Sequence, residues 1–342
     1  MFLVNSKTIS LLVACLTPLV GNAHHSRTEY SGQPMQEVEG EILTVTWSNP
    51  HPSFTLTVSN ETEEPQIWDI DGWGSLYTME RAGLTAETVT VNDRVIVYGQ
   101  LSTRRDNVFL LANMLLSNGT EVIFTTRGEP HWTGSHLGGR DQYVADAGNI
   151  VDALLEDKGI FRIWSAFGAE GLGGSTAGLP FTENALRARE TFDYLDAPPV
   201  RCVPHGMPKM MMTPHPYEFR DHGATIALRG GDFGSTRIIY IDDAKDPETQ
   251  PPSPLGYSVG HWEGGTLVVN TSRINYPYFD FNGTPQSEDV KILERFTLSE
   301  DQTRLDHEIT ITDPLAFTVP ITREQYWLAL GESLPRYECA IQ

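Results

Sequence analysis

Cysteine is scarce: the 342-residue chain has three, Cys15, Cys202 and Cys339, and no CxxC pair or Cys/His spacing of the kind that closes a structural zinc site. Basic residues are also few, 24 Lys and Arg against 45 Asp and Glu, for a formal net charge of −21. Such a surface repels phosphate backbones and anionic lipid heads, so no nucleic acid and no membrane surface is expected as a partner. Beyond residue 23 no apolar run approaches the roughly 20 residues of a spanning helix, so no transmembrane segment is expected. HExxH, phosphate-loop and dinucleotide motifs are lacking, which removes zinc-protease, nucleotidyl and Rossmann chemistry.

What is present starts with an address. Lys7, the apolar run Ile9 to Val20 broken by Pro18, and the small residues Gly21-Asn22-Ala23 read as an export signal over 1–23, cleaved after Ala23. The mature chain then begins at His24 and is periplasmic or secreted. A competing lipoprotein box, Leu12-Val13-Ala14-Cys15, is disfavoured because only Thr8 to Leu11 separate it from Lys7 and because Leu16-Thr17-Pro18 follow the cysteine. Loss of Lys7 changes the charge to 23 − 45 = −22. Cys202 and Cys339 remain in an oxidising compartment and are expected to form a disulfide.

The length predicts two cores. Over 24–126 short alternating strands (43–47, 54–58, 67–70, 95–98) surround one helical stretch, Ser75 to Ala82, closed by Gly83, which suggests a small OB-like barrel. Residues 127–200 are rich in glycine, with weak helical segments at 150–156 and 183–194, and read as a connector or a lid. Over 201–342 seven strands (226–228, 237–241, 257–263, 267–270, 291–298, 305–313, 324–328) read as an antiparallel meander. It is best closed as a larger lipocalin-like β-barrel, with a sandwich second.

His24-His25-Ser26, Asn49-Pro50-His51, Cys202-x-Pro-x-Gly206-Met207-Pro208, Gly260-x-Trp262-Glu263-Gly264, Glu294-Arg295-Phe296, Asp313-Pro314 and Tyr337-x-Cys339 run through most of the mature chain. On these segments it resembles a group of exported bacterial proteins of unknown function. It departs from that pattern at Tyr257, where His is usual, and at Gly265, where Asp follows Trp-Glu-Gly. The resemblance implies an address and an outline, and no activity.

Strand periodicity supplies the chemical candidates. Leu305, His307, Ile309, Ile311 and Asp313 share one face, as do Ile292, Glu294, Phe296 and Leu298 on the preceding strand. If the turn Ser299 to Arg304 pairs Leu298 with Leu305, Phe296 faces His307 and Glu294 lies diagonal to it. An inward carboxylate beside an imidazole is either an acid–base pair with shifted proton affinities or a buried, mutually satisfied pair. Tyr257, His261 and Glu263 form a second same-face group. His205, His215 and His222, near Tyr217, Met207 and Met210-Met211-Met212, form a third. Gly256-Tyr257-Ser258-Val259-Gly260 matches the nucleophile-elbow pattern in letters, but a strand follows where a helix is required. No cofactor is called for by any motif, save that the His24 amine and ring, with His25 and His51, suit copper.

The function expected from these residues is binding of a small organic molecule inside the larger barrel. Glu294, His307, His261 and Glu263 are the candidate acid–base groups for lyase, isomerase or hydrolase turnover. Tyr257, Phe296, Asp313, His205, His215 and Tyr217 are the candidate ligand contacts. The alternative is a periplasmic metal-binding or envelope-interaction protein acting through His24 and the OB-like module.

Overall fold

The computed structural model describes residues 29–340 except 31, 60–63, 73, 126–127, 133, 140–146, 156–157, 166–175, 177, 193–196, 243, 281 and 335. The signal peptide, the alternative box at Cys15, and His24 and His25 lie outside the described residues.

Five strands form the first barrel: β1 (Met35–Thr46), β2 (Ser53–Val58), β3 (Gln66–Asp71), β4 (Arg94–Leu101) and β5 (Val108–Leu116). Their order is β3-β2-β1-β4-β5, and a parallel β3–β5 pairing closes the ring. Helix α1 (Leu76–Arg81) lies between β3 and β4, as in an OB barrel. Ser75 caps its first turn by accepting from Thr78 N, and Gly83 follows its end at φ +78°, the left-handed region that a helix stop needs. Ile42, Phe54, Leu56, Ile70, Val97, Phe109 and Phe124 fill the interior. β5 escapes sequence reading because Val108 to Leu111 are apolar without alternation and buried on both faces.

β6 (Glu121–Ile123) and β7 (His136–Gly138) extend this sheet from β5. Helices α2 (Ala147–Leu155) and α3 (Glu183–Thr191) follow, and the Thr182 side chain caps α3.

The second sheet has nine strands: β8 (Ile163–Trp164), β9 (Tyr217–Asp221), β10 (Thr225–Gly230), β11 (Thr236–Tyr240), β12 (Tyr257–Glu263), β13 (Thr266–Ser272), β14 (Lys291–Leu298), β15 (Arg304–Thr312) and β16 (Ile321–Leu328). They pair in sequence order and curl into a nearly closed barrel. Its two edges meet at one antiparallel bridge, Ser165 to Leu328. One pair departs from the expected antiparallel meander, since β11 and β12 run parallel. The physical reason is the long Pro-rich connection 241–256, which carries the chain back to the starting end of the barrel, whereas an antiparallel pair needs only a short turn. β8 and β9 add to the seven expected strands.

The two barrels are joined by the chain's last segment. Cys339 is disulfide-bonded to Cys202 and bridges Asn49 of the β1–β2 loop, where Ala340 N donates to Asn49 O at 3.0 Å. Glu332 accepts from Tyr77 Oη at 2.6 Å, pairs with Arg81 at 2.5 Å and bonds Ser165. At the other end of the chain, Glu29 takes Arg105 at 2.5 Å, and Tyr30 donates to Asp71 at 2.9 Å.

Candidate functional site

The interior of the larger barrel carries a polar belt to which six consecutive strands contribute one residue each. Arg237 of β11 donates from Nε to Ser258 Oγ of β12 at 2.8 Å. Its Nη2 donates to Thr271 Oγ1 of β13 at 2.6 Å and to Glu294 Oε2 of β14 at 2.5 Å. Glu294 Oε1 lies 3.1 Å from His307 Nε2 of β15, and His307 Nδ1 lies 2.8 Å from Gln325 Nε2 of β16. Gln325 Nε2 also donates to the Met211 carbonyl at 2.8 Å, which fixes it as the amide nitrogen. His307 Nδ1 therefore accepts, and its Nε2 donates to Glu294.

The register that makes this contact is Leu298 opposite Leu305 and Phe296 opposite His307, as the strand faces predict. Burial alone would raise the Glu294 carboxyl. The Arg237 charge and the His307 hydrogen bond outweigh it and hold the group at about 2. Neither Glu294 nor His307 exposes any side-chain surface. Phe296 stacks on His307 at 4.6 Å and Trp327 lies nearly parallel to it at 4.9 Å, while Phe219 and Tyr217 pack against those rings. The belt is thus paired, hydrogen-bonded and enclosed in aromatic side chains.

The remaining candidates separate in space. Tyr257, His261 and Glu263 share a face of β12, but it is the outer one. Tyr257 stacks on Tyr240, and Glu263 takes His261 at 3.1 Å and Arg295 at 3.0 Å, bonds that lower its carboxyl. Asp313 is buried and holds a turn by accepting from Ser287 and Leu315. Tyr217 donates to the Met210 carbonyl at 2.8 Å, and burial pushes its hydroxyl up. Met207, Met210, Met211 and Met212 are core residues.

His205 and His215 come together at the seam between the barrels, while His222 lies just past the end of β9. His205 Nε2 is 3.3 Å from Asp232, beside buried Lys209, and His215 Nε2 is 2.9 Å from Ser75 Oγ. Burial lowers His205 well below its ordinary value and takes His215 down to about 4, while it raises Asp232 to about 7. Among the described residues no group of three or more His, Cys, Asp or Glu side chains is arranged to hold a metal ion. His51 is half-buried just before β2, and the two histidines expected to share copper with it lie outside the described residues.

A cleft of about 520 Å³ opens on the flank of the larger barrel, between α2 and the outer face of β9. Glu218 and Arg220 alternate along that face and His222 follows the strand, with Lys158, Phe161 and Ala153 on other walls. Glu218 Oε1 accepts from Arg220 Nη2 at 2.9 Å, while its Oε2 is buried and has no hydrogen-bond partner. Sequence reading missed Glu218 and Arg237 alike. For Arg237 a signal existed, because Arg237, Ile239 and Ile241 alternate onto one face. Glu218 lies on a strand of five residues that carries only two buried positions.

Residues 12–108 match a family of unknown function, DUF6152. The match ends at the first residue of β5 and so spans β1 to β4 with α1, without reaching the larger barrel. No curated protein matches the chain. No helix among the described residues is long and apolar enough to cross a membrane.

Proposed function

We propose that the protein is an exported binding protein for a small polar organic molecule, seated in the flank cleft of the larger barrel. The observation that carries this reading is a concavity of about 520 Å³ lined by Glu218, one of whose carboxylate oxygens has no hydrogen-bond partner. An unmet buried acceptor is costly, and the volume lies within the roughly 300–1,000 Å³ of small-molecule sites. Export is supported by the leader pattern and by the disulfide between the two cysteines that a cleaved chain would retain. The resemblance of the Cys-x-Pro and Trp-Glu-Gly segments to exported proteins of unknown function points the same way.

The barrel interior is the weaker seat for a ligand. Glu294 and His307 have no exposed side-chain surface, and aromatic rings occupy the space beside them. In this reading the belt sets strand register rather than turning over a substrate. An envelope partner bound by the OB-like module is likewise disfavoured. OB barrels commonly meet ligands through their β1–β2 and β4–β5 loops; here the first holds Cys339 and Ala340, and the second holds Glu29.

The test is mass spectrometry of small molecules that co-purify with protein exported by its own signal, alongside the variant Ala153→Trp. A molecule bound by the parent and lost from a folded variant supports the cleft. One retained at full occupancy by the variant overturns it.

A further inference from the structure

The charges around Glu218 narrow the ligand class, an inference that rests on the cleft being the binding seat. Glu218 and Arg220 occupy alternate positions on β9, so their side chains emerge on one face, and His222, just past the strand, lines the same cleft. The first two already touch, at 2.9 Å, and only Glu218 keeps an oxygen buried without a donor. The Arg220 side chain is 59% exposed. A carboxylate that lines a cleft takes a charged donor, and a partly exposed guanidinium accommodates a carboxylate as a second acceptor.

Adjacent opposite charges select against ligands of a single sign. A diamine meeting Glu218 would bring its second ammonium against Arg220 and Lys158, and a dicarboxylate on Arg220 would meet Glu218, Asp221 and Glu332 around the same cleft. A molecule with neighbouring ammonium and carboxylate groups satisfies both. Phe161 adds an apolar wall for the rest of it, and the exposed Trp262 lies edge-on to that ring at 6.4 Å. We infer that the cleft binds a small α-zwitterion, an amino acid or a short peptide end, with its ammonium on the Glu218 carboxylate and its carboxylate on Arg220.

Three matched probes test this on the mature, disulfide-intact protein by calorimetric titration: phenylalanine, phenylalanine amide and N-acetylphenylalanine. Phenylalanine should bind at least about tenfold tighter than the amide, which lacks the carboxylate, and than the N-acetyl compound, which lacks the ammonium. Glu218→Gln should weaken phenylalanine by about tenfold or more while leaving N-acetylphenylalanine unchanged. Glu218 is partly exposed, so this variant should fold, and circular dichroism checks that it does. Equal binding of all three probes, no phenylalanine binding at millimolar concentration, or indifference to Glu218→Gln overturns the zwitterion class. The two readings fail differently. If Ala153→Trp expels a co-purified molecule that is not a zwitterion, the class falls and the cleft stands. If Ala153→Trp leaves phenylalanine binding unchanged, the cleft itself falls.

Discussion

Glu294 and His307 lie diagonally across β14 and β15, Oε1 3.1 Å from Nε2, with Arg237 on the other carboxylate oxygen. The carboxylate is ionised, the guanidinium neutralises it and the imidazole donates to it, so the three groups need one another more than they need a ligand. Removal of one partner from a buried charged pair costs about 3–5 kcal/mol, because the other charge is left uncompensated. Glu294→Gln should therefore destabilise the protein by about that amount in urea unfolding, with phenylalanine binding in the surviving folded fraction unchanged. Glu294→Leu combined with Arg237→Met should recover most of the loss. A Glu294→Gln protein of parental stability that no longer bound ligand would move the site into the barrel.

Acid should act on this belt at low pH. The folded value of Glu294, about 2, lies below the roughly 4.3 of an unfolded glutamate, so its stabilisation is complete above the unfolded value. It is lost as pH falls from about 4.3 through about 2. The stability of Glu294→Gln in urea unfolding should consequently depend less on pH in that window than the parent's.

His215 sets a second window. Buried beside Ser75, Tyr77 and Tyr337, with His205 nearby, it is held down at about 4 against roughly 6.5 unfolded, so it is neutral in the fold where the unfolded chain is charged. Its contribution is complete above about 6.5 and lost as pH falls toward about 4, for about 3 kcal/mol in all. Asp232 and Asp71, raised to about 7, oppose it. They are protonated in the fold, so their contribution is lost as pH rises from roughly 3.9 toward about 7. The difference between parent and His215→Gln isolates the histidine. Stability measured between pH 7 and 4 should fall less steeply in the variant, and parallel curves would contradict the assignment.

Strand periodicity made the inward positions readable because one face of each barrel strand is core. It placed Glu294, His307, Ile309 and Ile311 correctly, and the turn Ser299 to Arg304 fixed their register. It could not say whether the space beside them was empty. That depends on Trp327, Tyr217 and Phe219, which arrive from strands distant in sequence. The alternation on β12 was read correctly for Tyr257, His261 and Glu263, but alternation does not tell inside from outside where both faces mix polar and apolar groups. The seam between the barrels was invisible for a further reason, since Ser75 and His215 are 140 residues apart and neither carries a motif.

The docking of the barrels converges on Glu332, which takes the Tyr77 hydroxyl and the Arg81 guanidinium from α1 and the Ser165 hydroxyl from the end of β8. Glu332→Ala should leave both barrels folded but loosen their contact, because it deletes an acceptor shared by three donors from two elements. Differential calorimetry should show one cooperative transition in the parent and a broadened or split transition in the variant. A single unshifted transition would show that Glu332 carries little of the docking.

The disulfide is the remaining tie, and its effect should be the largest. Cys202 and Cys339 are 137 residues apart, so the bond closes a long loop, and the chain-entropy model gives roughly 5 kcal/mol, an upper figure because residual structure in the unfolded chain reduces it. The bond also anchors the tail on which Asn49, Phe233 and His215 depend for contacts with Cys339 and Tyr337. Reduction should therefore lower stability and also free the tail from the OB barrel. Arg336, exposed in that tail, should then be cut by trypsin much faster than in the oxidised protein, before either barrel is degraded. Cys202→Ser with Cys339→Ser should reproduce both effects without reductant. Two thiols titrating in the unfolded, unreduced mature protein would remove the bond, and unchanged cleavage at Arg336 after reduction would show that the tail is held by its side-chain contacts alone.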